Sequence, residues 1–451
     1  MTKPPTRWRS VLPHLGYQLP PDITPPAANG PVTAHLPLEL VRQSISGREW
    51  WDIPDEVADH YRKFRPTPLW RARRLEQAVG AKAPLYVKYE GGNLSGSHKF
   101  NTALAQAYYY KRAGVEELVT GTGAGQWGTA MAAACAAFGL KCTVFMVGRS
   151  LHDKPYRGTL MRLLGAELHA SPSQATELGR RGDTGSTNAL ALAIGEAVEY
   201  AKEGERDGVK RAFCIGSGET YSILHQSVIG LEAIDQLQEE RAEVDTVVGC
   251  VGAGSNFGGI ALPFFSRHTD EGTEVPTLLA AESSATPKLS RGVFAYDVTD
   301  ATGTGPMEAM YTIGSSYAIP PAHSAGLRFH GAAKVISAMR HRDQVAAVAV
   351  GQRAALEANR QFALTEMILP APESGHALAA ALDVVTGRDE QRAPGRGVLV
   401  VVSGHGLLDL AAYGQLLDGT IEDGGHDEEQ LRRATDGLRR VPDELLQERA
   451  R

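Results

Sequence analysis

Only four cysteines occur in 451 residues, and no two form a Cys-x-x-Cys pair, so neither a disulfide framework nor a zinc cluster is indicated. Cys135, Cys142, Cys214 and Cys250 lie inside apolar runs and read as buried, reduced thiols. Positive charge is not in excess. The formal net charge of −6 offers no basic surface for nucleic acid or an anionic membrane. No apolar run approaches the roughly 20 residues of a spanning helix. The Pro- and Arg-rich start carries no apolar signal core. No internal repeat is visible. A cytoplasmic protein is expected.

What is present in quantity is glycine, 49 residues of it, placed largely where predicted strands end. Hydrophobic content of 43% and charge of 22% describe a soluble globular chain, long enough for two domains sharing a cleft. Residues 1–35 read as an ordered arm or a disordered leader. A helix is expected over Leu38–Ile45, opened by Pro37. Strands are expected at Leu85–Tyr89, Glu117–Val119, Cys142–Val147, Phe213–Ile215, Thr246–Val251 and Gly397–Val402. Helices are expected between them, at Thr129–Phe138, around Thr159–Leu164 and up to Tyr200, the last capped by Thr187 or Asn188. Ser171–Ala189 reads as a surface loop. Continuous Val-rich strands alternating with helices predict parallel sheets covered on both faces. The charged end, with Glu428/Arg432 and Glu429/Arg433 at ion-pair spacing, reads as a solvated helix.

Three strand-to-helix passages carry glycine clusters: Glu90-Gly91-Gly92-Asn93-Leu94-Ser95-Gly96-Ser97-His98-Lys99, Thr122-Gly123-Ala124-Gly125-Gln126 and Gly252-Ala253-Gly254-Ser255-Asn256. A fourth junction, Ser403-Gly404-His405-Gly406, adds a hydroxyl. Backbone N–H groups in such turns suit phosphate or carboxylate. A lysine held among apolar or cationic groups loses its proton readily and can form a Schiff base. Each turn alone is a common structural device. Several at the carboxyl edge of open sheets point to one cleft.

These segments resemble the tryptophan synthase β-chain family, specifically its stand-alone branch. That branch is also suggested by His225-Gln226, Ile229-Gly230-Leu231-Glu232 and Gly326-Leu327-Arg328-Phe329-His330-Gly331. The resemblance runs from about Trp8 to Leu417. It implies a fold-type II, two-domain α/β enzyme, each domain three-layered, with pyridoxal 5′-phosphate between them. The implied division is an arm joined to the smaller domain (1–64), part of the larger domain (65–97), the smaller domain (98–216), the larger phosphate-binding domain (217–418) and a charged tail (419–451). Lys99 would hold the cofactor as an imine and then remove the substrate α-proton. Gly252, Ala253, Gly254, Ser255 and Asn256, with His98, would hold the phosphate. Ser403 would bond the ring nitrogen, Asn101 the 3-oxygen, and Glu366 would lie beside the ring. Thr122, Gly123, Ala124, Gly125 and Gln126 would grip the substrate carboxylate. Such enzymes also bind a monovalent cation, K+ or Na+, through carbonyls that leave no sequence signature. A homodimer without an α-subunit is implied.

One position departs from the family. Where it has a glutamate that assists hydroxide departure and later receives the indole N–H, this chain has Gly121. A positioned acid contributes roughly 10²–10⁴-fold. Gly218-Glu219-Thr220-Tyr221 also replaces a mainly apolar stretch, making Glu219 and Tyr221 candidate proton donors. Met367 and Ser324 depart from the pattern nearby. The expected activity is β-substitution or β-elimination on serine, threonine or an O-activated analogue through an aminoacrylate, with an altered acceptor or leaving group. Tryptophan synthesis from serine and indole, a serine/threonine dehydratase and a non-catalytic scaffold are the alternatives. Asp297, Asp300 and Thr302 fall in the region that closes over substrate in this family, which suggests gating.

Overall fold

Two parallel sheets organise the chain. The computed structural model describes residues 2–24, 36–182, 189–299, 306–392 and 395–446, side chains of 205–207 excepted. The proposed caps Thr187 and Asn188, and the gating candidates Asp300 and Thr302, lie outside the described residues.

The larger sheet has six strands in the order Ala346–Val350, Thr277–Ser283, Thr246–Cys250, Val398–Val402, Leu85–Tyr89 and Leu69–Arg71. All pairings are parallel except the last, where Leu69–Arg71 runs antiparallel at the edge. Val398–Val402, five apolar residues in a row, occupies the middle and is buried throughout, as a strand covered on both faces requires. The smaller sheet is fully parallel, in the order Glu167–Ser171, Lys141–Val147, Glu117–Thr122 and Arg211–Phe213. Two helices, Lys99–Arg112 and the Ala-rich Gln126–Phe138, pack together beside it. The small side chains of the second allow that close approach.

The ends of the chain are docked. Trp8 is fully buried, and Arg7–Arg9 pairs antiparallel with Trp50–Asp52. Farther along, Ile23 and Met307 exchange backbone hydrogen bonds. The charged tail departs from the solvated-helix expectation. Its Glu428–Thr435 helix buries Leu431 against Ile313, Tyr317 and Ile319, and Val441 and Leu446 enter the main core. Of the two expected ion pairs, Glu429–Arg433 forms, whereas Glu428 turns to His426. Ser171–Ala189 is not all loop, since Glu177–Arg180 is helical and capped by Thr176. All four cysteines are free and buried. Among the described residues, no helix is long and apolar enough to cross a membrane.

Candidate active site

Lys99 is the first residue of its helix, reached from the Leu85–Tyr89 strand through the glycine-rich loop. The Val398–Val402 junction holds that loop shut: His98 N–H donates to the Ser403 carbonyl at 2.9 Å, and His405 N–H to the Gly96 carbonyl at 3.0 Å. Beneath lies a buried charge network. Arg65 donates to Glu90 and Glu232 at 2.9 and 2.8 Å, and Lys88 donates to Glu232 at 2.8 Å. Burial opposes the charge on Arg65, but the two carboxylates overcome it and raise its pKa. Burial also disfavours ionised Glu232, yet Arg65 and Lys88 hold its pKa below the ordinary value. Gln226 links this base to the site, donating to the His98 carbonyl at 3.0 Å.

Two adjoining cavities meet at Lys99. Burial lowers the pKa of its ammonium, and nearby Glu373 only partly restores it. His98 is driven well below its ordinary pKa by burial and by Lys99, so its ring is neutral. The smaller cavity is lined by His98, Gly252, Ala253, Gly254, Ser255, Asn256 and Ser403. Gly254 takes a positive φ of 133°, and the 17-residue Ser255–Glu271 helix begins behind it. Ser97 Oγ, Ser255 Oγ and Asn256 Oδ1 are buried without a hydrogen-bond partner. A helix start with spare hydroxyls is the donor set that a phosphate requires. Ser403 Oγ lies 2.8 Å from Ser374 Oγ. Pyridoxal phosphate fits these residues.

The larger cavity contains Thr122, Gly123, Ala124 and Gln126 at the start of the Gln126–Phe138 helix. Gly125, at φ 89°, turns the chain into that helix, and Gln126 is oriented by donating to Glu373 at 3.0 Å. Beyond Lys99 the walls are apolar, with Leu190, Ile194, Ile215, Met310 and Phe329. Gly121 lines this end, and a Cβ on it would fall 2.8 Å from the Ile194 backbone. Glu219 and Glu308 face the same space.

Four of the expected residues fall elsewhere. Glu366 accepts from Trp70 Nε1 at 2.9 Å and Leu75 N–H at 3.0 Å, behind the six-stranded sheet's edge strand, and lines neither cavity. Asn101 is buried in the charge network, its amide spent on Arg65, Glu90 and Gln226. Tyr221 is buried behind Glu219, outside both cavities. Asp297 is tied to Thr312 Oγ1 at 2.7 Å and Ser315 N–H at 2.9 Å and also lines neither cavity. Conversely, Glu308, Glu373 and Ser374 were missed. Pro370-Ala371-Pro372-Glu373-Ser374 has the look of one more helix start and could have revealed two of them. Glu308 lies in a strand and carries no such signal.

A cavity-lining lysine at a helix start, a phosphate-sized donor loop and two α/β sheets define a fold-type II pyridoxal-phosphate-dependent enzyme. A sequence profile for pyridoxal-phosphate dependent enzymes matches residues 61–404. The chain is 44% identical over 430 residues to a tryptophan synthase beta chain of Thermococcus onnurineus, covering 94% of this chain and 96% of that one. It is 46% identical over 418 residues to that of Pyrobaculum islandicum, covering 91% and 97%. A solved cysteine synthase from Entamoeba histolytica shares the fold at TM-score 0.56 and 19% identity, over 82% of this chain and 93% of that one. The chain belongs to the tryptophan synthase β-chain family and is a pyridoxal-phosphate-dependent lyase.

Proposed function

We propose that the enzyme performs β-elimination and β-substitution on serine, threonine or an O-activated relative, with an acceptor other than indole and Glu219 as the acid. The observation carrying this is the wall of the larger cavity. The backbone of Ile194 fills the space beside Gly121, where the resemblance to the family implies a glutamate, and the only carboxyl groups among the described lining residues are Glu219 and Glu308.

Pyridoxal phosphate, when bound, supplies the electron sink that lets the α-proton and the β-substituent leave. Lys99 would carry it and, with its pKa lowered by burial, serve as the base at the α-carbon. Ser255, Asn256 and the glycine-turn amides would hold its phosphate. Ser403, a hydroxyl rather than a carboxylic acid, would leave the ring nitrogen unprotonated. That favours elimination over full carbanion delocalisation. The Thr122–Gln126 turn would orient the carboxylate through backbone N–H groups. Burial raises the pKa of Glu219, so it can remain protonated and give its proton to a departing oxygen.

The named relatives favour a second reading, tryptophan synthesis from serine and indole with Glu219 as a relocated acid. Turnover assays separate the two. O-acetylserine is expected to release 2-keto acid or accept nucleophiles at least tenfold faster than serine with indole yields tryptophan. Efficient tryptophan formation would overturn the altered-acceptor reading. Gly121→Glu is expected to disturb packing against Ile194 rather than create tryptophan synthesis. We also propose a homodimer working without an α-subunit, which light scattering checks.

A further inference from the structure

We propose that Glu219 and Glu308 together form the acceptor subsite, and that its ligand is an amine: an apolar body carrying a basic, N–H-bearing nitrogen. This deepens the reading above and rests on it for identifying this part of the cavity as the acceptor end.

The two glutamates come from separate elements. Glu219 precedes the Thr220–Gln226 helix without capping it through its side chain, and Glu308 opens the Glu308–Thr312 strand. Neither carboxyl group makes a hydrogen bond or ion pair to a described residue, although both border a cavity whose other walls are mainly apolar. Unpartnered carboxyl groups in such a place are costly unless they are protonated or a ligand supplies donors. Leu190, Ile194, Met310 and Phe329 suit a hydrocarbon or aromatic body. The carboxyl groups suit a nitrogen with protons to donate.

The surrounding titratable groups are Lys334 and Asp22, with Tyr110 and Tyr221 as phenols that burial keeps protonated. Lys334 is bound to Asp22 and makes no ion pair with either glutamate, though its charge works against the upward shift of both. Burial first, and then Glu219, raises Glu308 to about 8. At neutral pH the pair therefore retains a proton. It approaches full ionisation only above about pH 8, where a basic amine is still cationic.

Calorimetric titration of the enzyme saturated with pyridoxal 5′-phosphate tests this. N,N-dimethylbenzylamine is the probe, because a tertiary amine cannot condense with the cofactor aldehyde. It is expected to bind about tenfold or more tightly than benzyl alcohol or indole, with the preference growing from pH 6 to 8.5. Glu308→Gln and Glu308→Leu should each cut the preference to within about threefold. Equal binding of the three probes by the native enzyme would overturn the proposal, as would an undiminished preference in either variant. Should the leucine variant fail to fold, the glutamine variant and the native probe series decide. Release of 2-keto acid from O-acetylserine without added amine is measured in parallel. Release without amine preference removes the subsite alone; preference without release removes the elimination reading alone.

Discussion

Two groups of carboxylates, the buried Glu90 and Glu232 and the half-buried Glu219 and Glu308, are treated differently by the fold. Glu90 and Glu232 are saturated: Arg65, Lys88 and Thr67 all donate to one or both. Among the described residues, the carboxyl groups of Glu219 and Glu308 have no such donors. The first group fixes the base of the catalytic loop through Asn101 and Gln226. The second faces the cavity. Saturation marks a structural role, and its lack marks a surface kept for a ligand.

Breaking the saturated group should have the largest effect. Arg65→Met leaves two buried carboxylates short of a cation and is expected to cost about 3–5 kcal/mol of stability, measured by denaturant unfolding. Glu219→Gln should leave the unfolding midpoint nearly unchanged and slow elimination from serine about 10²-fold, with a much smaller loss for O-acetylserine. An equal loss for both donors would remove Glu219 from the acid role. Glu308→Gln should act through pH. Because the native pKa of Glu308 lies above its unfolded value, the native state holds the extra proton between about pH 4.5 and 8. Its contribution is therefore complete below about 4.5 and lost as pH rises through 8. Native melting temperature should fall across that window more steeply than that of the variant. Least affected should be Glu366→Gln, with turnover unchanged and at most about 1 kcal/mol lost from the Trp70 and Leu75 bonds.

The sheets and the lysine could be read from residue order because Val-rich runs and the glycine turns that end them are local signals. The errors arose where a motif's neighbours were assumed to share its direction. Lys99 and Asn101 are two residues apart on one helix, about 200° around its axis. One therefore faces the cofactor cavity and the other the buried base. Tyr221 follows Glu219 into a helix and turns away in the same manner. Glu366 ends one helix, while Glu373, seven positions later, begins the next at the cavity wall. Glu308 was hidden for another reason. Only the fold brings it to the cavity that Glu219 also lines.

The link between Ile23 and Met307 has a practical corollary. Residue 307 immediately precedes Glu308, and Asp22 binds the lysine nearest the glutamate pair. If the acceptor subsite proposed above holds, an affinity tag, protease nick or fusion at the amino terminus is expected to change its amine preference while cofactor loading stays normal.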